Sequence, residues 1–319
     1  MWKTILRRLL MMIPQIIILS IIIFIVAQMM PGDPFAGLIN PNIDPAELAR
    51  LREAAGLNDP WPTQYVRWVN NLMHGDLGRS FVYSLPVTTL IGQRVGNTVS
   101  LSLLTSVLTY LLALPMGLLA GRYENSWFDK FVQIYSYLTF AVPLFVFGLV
   151  MLFTFGFNLG WFPTSGSVQI GVAAGLPRMI SRFQHMILPA ITQALLATTV
   201  TVQYLRSEVI DAQKLDFVRT ARSKGVPTDK VFSRHIFRNA SLPIAATLGF
   251  EIAGLIGGSV IIERIFSYPG LGNLFILSTM QRDYAVITSL TLIFGTVALV
   301  AMLISDIIMS LVDPRIRIQ

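Results

Sequence analysis

The residues of this chain that could do chemistry are few and scattered. His74, His185 and His235 are its three histidines, and none stands at i, i+4 from a second histidine or in a zinc-protease helix motif. There is no cysteine, which rules out disulfides and thiolate metal sites but leaves the redox compartment open. No Gly-x-x-x-x-Gly-Lys-[Ser/Thr] run occurs to cradle a nucleotide phosphate. The expectation is a chain without catalytic residues, metal or cofactor of its own. Two acids and one basic stretch say more.

Glu251 falls near the middle of an apolar run, where an ionised group is costly and usually faces a cavity or a partner. It is a candidate for a solute pathway or a contact with a sister subunit; the plainer alternative is a neutral acid or one hydrogen-bonded between helices. Asp306, near the end of the last apolar run, is expected to pair with a nearby base. The basic stretch is Asp216–Pro243, between two apolar runs. Its apolar positions Phe217, Val218 and Ala221 share one helical face, and Arg219, Arg222 and Lys224 cover the rest. Gly225 supplies a helix stop, and Pro227 prevents continuation. Thr228 or Asp229 can cap a second helix through Val231–Asn239. The result is helix, tight turn, helix. It could lie on anionic headgroups, or its amphipathic helix could be laid into a partner's groove.

What must position these residues is a set of membrane helices. The chain is 54% hydrophobic and only 13% charged over 319 residues, so it has too little polar surface to cover its apolar content in water. Mean hydropathy is +0.64. The net charge of +7 then reads as basic residues biased to one membrane face rather than as a nucleic-acid surface. Six runs have the roughly 20 residues needed to cross a hydrocarbon core about 30 Å thick. They are Leu9–Met30, Thr98–Ala120, Val132–Phe157, Met186–Tyr204, Leu242–Ile262 and Val286–Leu311. None alternates as a β-barrel strand would. The first could be mistaken for a signal peptide, but no small-x-small cleavage site follows it, and it is read as a retained helix. The fold class is therefore an all-α membrane protein with six transmembrane helices.

With the N-terminus inside, fifteen of the 24 Lys and Arg residues are cytoplasmic. Five of the other nine lie in Pro31–Asn97, a segment too long for its charge to steer insertion. Both termini are thus expected in the cytoplasm, with 1–30 the N-terminus and first span and 31–97 a large external segment. Residues 98–311 form a five-helix core with a cytoplasmic loop at 205–241, and 312–319 a tail. The external part should carry a helix at Asp44–Gly56 and an amphipathic one at Thr63–Gly75, with Tyr65, Trp68, Val69 and Leu72 on one stripe. These helices lie at the membrane interface or cap the outer mouth, a ligand role being the alternative.

The basic stretch resembles the EAA loop of type I importer permeases of the ATP-binding-cassette superfamily, in the oligopeptide/dipeptide (nickel) subfamily. Of the general Glu-Ala-Ala-x-x-x-Gly pattern, Arg219-Thr220-Ala221 and Gly225 keep only the last Ala and the Gly. The subfamily form is matched better, by Phe217–Gly225 and by His235, Arg238, Asn239 and Ala240. Pro31–Pro34, Gly75–Ser80, Gly160–Gly166, Gly257–Gly272, Arg282–Tyr284 and Asp313–Arg317 are similar to the same subfamily, and the first two point to its B-type subunit. The resemblance implies half of a pathway for oligopeptides or dipeptides. Its partners would be a second permease subunit, two cytoplasmic ATPases, an external substrate-binding protein and membrane lipids, with no nucleic acid. Asp216, Phe217, Val218, Arg219, Thr220, Ala221, Arg222, Lys224 and Gly225 would be the coupling helix docked on an ATPase. A nickel or other small-solute permease is the nearest rival. An ion-coupled carrier would need intramembrane acids in series, and only Glu251 is central.

Overall fold

The computed structural model of the chain describes residues 2–30, 53, 58–241 and 260–312. Its regular structure there is helical, apart from one isolated bridge between Arg79 and Pro86. α1 is Trp2–Met29, α2 Trp61–Met73 and α3 Val87–Arg122. α4 (Trp127–Ala141) is followed by α5 (Leu144–Met151), which runs on as a π-helix over Leu152–Asn158. α6 (Leu176–Lys214) leads into α7 (Asp216–Ser223). α8 (Thr228–Val231), a π-helical turn Phe232–Ile236 and α9 (Phe237–Ala240) complete the hairpin. α10 is Val260–Ile265, α11 Leu271–Met280 and α12 Tyr284–Val312.

Among the described residues four helices are long and apolar enough to cross a membrane, within α1, α3, α6 and α12; α4 with α5 makes a fifth if taken as one bent span. The continuous helix expected over Val132–Phe157 is therefore corrected: it breaks at Val142-Pro143 and turns by 101°. Proline disfavours the helical region for the residue before it, and Val142 is extended at φ −95°, ψ 118°. The expected fourth span, Met186–Tyr204, is the middle of the 39-residue α6, roughly 58 Å long at 1.5 Å per residue. The expected fifth, Leu242–Ile262, lies outside the described residues except for its last three, which begin α10. The predicted helix at Asp44–Gly56 also falls almost wholly outside them.

α3 and α6 run parallel. A Cβ on Gly117 would lie 2.9 Å from Leu205 Cβ, and one on Gly121 2.7 Å from Val209 Cβ, the same sequence offset one turn apart. Small residues allow this approach: Thr105, Thr109, Ala113, Gly117 and Gly121 are all buried along α3. α6 answers with hydroxyls to α4, where Tyr135 Oη is 2.8 Å from Thr198 Oγ1 and Thr139 pairs with Thr199.

α1 and α12 are antiparallel. Leu19 packs where a Cβ on Gly295 would sit, and Tyr284 Oη donates to the Met30 carbonyl at 3.3 Å. At the other end Arg8 Nη1 lies 3.1 Å from Asp306 Oδ2, the base Asp306 was expected to find. That oxygen has no aligned hydrogen-bond donor, so the contact is a charge pairing only. The first turns of α3 and α12 meet in one apolar cluster with α11, through Val87, Leu90, Leu271, Leu274, Val286 and Leu290. The Arg8–Asp306 end of α1 and α12 is thus on the same side as Arg122, at the end of α3. α2 lays its predicted stripe on α1: the Tyr65 and Trp68 rings are 5.4 and 6.1 Å from Phe24, and Tyr65 Oη is 2.8 Å from Ser20 Oγ.

Candidate functional site

The hairpin after α6 brings nine of the sequence-predicted residues together. Leu215 is extended, at φ −73° and ψ 151°, and breaks α6 from α7. α7 opens on Asp216, favourably placed beside the free amides of its first turn. Its end is a complete Schellman motif. The Val226 amide donates to the Ala221 carbonyl at 3.2 Å and the Gly225 amide to the Arg222 carbonyl at 2.9 Å, with Gly225 left-handed at φ +73°. Val226 and Ala221 belong to the same apolar cluster, which completes the motif. The second helix starts differently from expectation. Pro227 stands at the N-cap and no side chain caps the turn, so Thr228 and Asp229 are its first helical residues.

A Cβ on Gly225 would meet nothing within 4 Å, so the need for glycine there is one of backbone conformation alone. Gly225→Val should loosen the motif by about 1–2 kcal/mol, whereas Gly225→Asn should cost much less, because asparagine tolerates the left-handed region. Amide exchange at Gly225 and Val226 reads the difference.

The apolar face of α7 is covered within the chain itself. Val218 and Ala221 are buried against Leu205, Val209 and Ala212 of α6 and against Val231, Ile236 and Ala240 across the turn. Phe217 is half-buried at the margin. What faces outward is polar: Asp216, Arg219, Thr220, Arg222, Ser223 and Lys224 are exposed. Arg219 Nη1 lies 3.7 Å from Asp216 Oδ1, with both side chains more than three-quarters exposed.

Two spans hold the hairpin. α6 does so covalently and through the cluster. α3 does so through Arg122, which pairs with Asp229 and stacks its guanidinium 4.8 Å from the Phe232 ring centroid. Gln213 Nε2 donates to the Gly121 carbonyl at 2.8 Å. Beside it, buried Asp129 receives Arg206 in a two-pronged contact, with Nη2 to Oδ2 at 2.8 Å and Nε to Oδ1. The Asn125 amide (2.8 Å) and Gln133 Nε2 (3.1 Å) also donate to Asp129 Oδ2.

Sequence reasoning missed Asp129 and counted Arg206 only as a positive charge. The available signal was Ser126-x-x-Asp129, a helix-start pattern; Ser126 Oγ accepts the Asp129 amide at 3.2 Å. Glu251 lies outside the described residues. The histidines stay apart, His74 Nδ1 facing the Asn70 carbonyl and His185 Nδ1 the Ser181 carbonyl. Among the described residues no three His, Cys, Asp or Glu could hold a metal ion.

Residues 113–318 match the family described as binding-protein-dependent transport system inner membrane component, and residues 1–102 match its N-terminal companion. The oligopeptide transport system permease protein AppB of Bacillus subtilis (strain 168) is 39% identical over 98% of both chains. A putative peptide transport system permease protein of Brucella abortus (strain 2308) is 36% identical over 99% of both. The glutathione transport system permease protein GsiC of Salmonella paratyphi A is 31% identical over 99% of both. The chain thus belongs to the inner-membrane permeases of binding-protein-dependent, ATP-binding-cassette importers, and is a multi-pass membrane protein.

Proposed function

We propose that this chain is one of two permease subunits of an ATP-driven peptide importer, and that the hairpin Asp216–Ala240 receives the stroke of a cytoplasmic ATPase. An external binding protein delivers the peptide, and a second ATPase engages the sister permease. The observation that carries the coupling role is the packing of the hairpin. Its apolar face is bonded to α6 and its second helix to α3, so a push on α7 moves both spans as one body. The partner therefore meets the polar face of α7 and not the apolar one.

The topology we propose has six crossings and both termini in the cytoplasm. Support comes from the parallel run of α3 and α6, which requires the intervening α4–α5 pair to return across the membrane as a single bent span. Arg8, Arg122 and the hairpin share a side, and the excess of Lys and Arg makes that side the cytoplasm. Residues 31–97 are then external, 98–311 the core, 205–241 the coupling loop and 312–319 an inner tail. Glu251 remains a proposed pathway residue. The outward face of α6 is a further proposed lining, because Gln193, Thr201 and Tyr204 there carry hydrogen-bonding groups that lipid cannot satisfy. The peptide substrate rests on the relatives' names.

Charge reversal at Arg219 tests the coupling. Arg219→Glu should leave the permease inserted and assembled with its sister while peptide uptake falls about tenfold, the scale of one docked charge. Arg238→Glu, at an exposed position on the far helix of the hairpin, should change uptake less. Equal losses from both variants, or no loss from Arg219→Glu, count against the docking face; wild-type uptake that resists vanadate removes the importer reading itself.

A further inference from the structure

The stretch Gly257–Gly272, singled out in the sequence, has no part in the hairpin, and its described portion surrounds a carboxylate with no solvent exposure at all. That group is Glu263. Its Oε1 accepts the Thr98 hydroxyl of α3 at 2.7 Å, and its Oε2 accepts the Asn273 amide at 2.9 Å. The Thr98 oxygen in turn accepts the Leu271 amide at 2.7 Å. Leu271 and Asn273 are the first and third residues of α11, whose N-cap, Gly270, has no side chain to satisfy them. Two side chains from other elements thus cap this helix, and a carboxylate sits at its positive end.

The fit leaves no room for substitution in the turn. A Cβ on Gly270 would lie 2.3 Å from the Glu263 carboxyl carbon, and one on Gly272 2.7 Å from the Val260 Cα. Next to Thr98, Asn97 Nδ2 donates to the Pro269 carbonyl at 2.9 Å, a second tie from α3 to the same turn. Burial pushes the Glu263 carboxyl above the ordinary glutamate range against the pull of its donors, and Arg94 is the charged side chain that opposes burial from α3. Burial, with Glu263 nearby, pushes the Tyr268 phenol up to about 12. The node stands between two apolar clusters. On one side Leu101 and Leu188 join α3 to α6; on the other Val87 and Leu271 join α3 to α11 and α12.

We infer that Glu263, acting through Thr98, is a positioning residue for transport that fastens α11 and the start of α12 to α3, so that motion of the α3–α6 pair reaches the outer end of the chain. This rests on the importer reading above. Without the fastener, the inner stroke would still turn over ATP while the outer elements lagged, so peptide uptake would fall faster than hydrolysis. Glu263 touches no substrate in this account. It transmits position.

The test uses the full complex, with sister permease, ATPases and binding protein, reconstituted in vesicles, and reads peptide taken up per ATP hydrolysed together with the yield of assembled complex. Thr98→Val keeps the shape and removes both hydrogen bonds; Thr98→Ser keeps the hydroxyl. The expected result is normal assembly of both, an uptake-to-hydrolysis ratio lowered about tenfold in Thr98→Val, and a wild-type ratio in Thr98→Ser. Glu263→Gln should lower the ratio less than Thr98→Val, because its carbonyl can keep the Asn273 amide while its amide group donates to the Thr98 oxygen, so that only the charge at the start of α11 is lost. Amide exchange at Leu271, whose acceptor is the Thr98 oxygen, should quicken in Thr98→Val and not in Thr98→Ser, a readout that does not depend on transport. An unchanged ratio in Thr98→Val overturns the proposal, as does a loss of uptake, hydrolysis and assembly in equal measure, the mark of a purely structural role. Absence of ATP-driven uptake in the wild-type complex overturns the importer reading instead, and the transport role of Glu263 with it.

Discussion

Asp129→Ala is expected to destabilise the permease by about 3–5 kcal/mol, the cost of removing one partner from a buried ion pair. Asp129 is fully buried and the Arg206 side chain is 17% exposed, so the guanidinium left behind has little water to turn to. The Asn125 amide and Gln133 also lose their acceptor. Asp129→Asn keeps the shape and an acceptor oxygen but not the charge, and should cost less. The double replacement Asp129→Leu with Arg206→Met should recover most of the loss, because both charges leave the interior together. Thermal denaturation of the detergent-solubilised protein, read for the three variants side by side, checks the ranking. A double variant no more stable than Asp129→Ala would show that the contact matters for its hydrogen bonds and not for charge balance.

Gly121→Val should have an effect of similar size for a different reason. A Cβ at that position lies 2.7 Å from the Val209 Cβ and 2.8 Å from the Arg206 carbonyl oxygen. The oxygen belongs to the backbone of α6 and cannot swing aside, so the two helices must separate. Overpacking of a close-packed site typically costs about 1–3 kcal/mol, and here the same shift drags the Gln213 bond to the Gly121 carbonyl and the Asp129–Arg206 contact with it. Gly92→Val is the control, since nothing lies within 4 Å of a Cβ there. The expected outcome is loss of assembled importer for Gly121→Val and little change for Gly92→Val. Val209→Ala should rescue Gly121→Val only in part, because the carbonyl oxygen stays where it is. Full rescue would place the conflict in the valine side chain alone.

The helix–turn–helix of the hairpin was legible because its determinants are local. Gly225, Pro227 and the apolar spacing of Val218 and Ala221 act within a few residues of one another, and the structure realises the predicted stop at Gly225. The small-residue stripe on α3 was also present in the sequence, at Thr109, Ala113, Gly117 and Gly121, but it is informative only once the helix facing it is known. The break at Val142-Pro143 had a local cause that went unweighted. Hydropathy sums over a window and is blind to a bend, so Val132–Phe157 read as one rod. Glu263 stands one residue past an apolar run that ends at Ile262, where an acid looks like the start of a polar loop. Its burial depends on Thr98 and Asn273, and Thr98 is 165 residues away.

Composition and periodicity by themselves determined that the chain is a helical membrane protein, where its long apolar runs lie, and that a basic helical hairpin interrupts them. These follow from solvent transfer and from backbone preferences that each residue carries wherever it stands. Only the tertiary structure decided that the apolar face of the hairpin is spent on α6, that Asp129 meets Arg206, and that a carboxylate from α10 caps α11. Those are pairings between distant positions. Apolar surface will bury against any apolar surface within reach, so a pattern names the face that must be covered, and packing chooses what covers it.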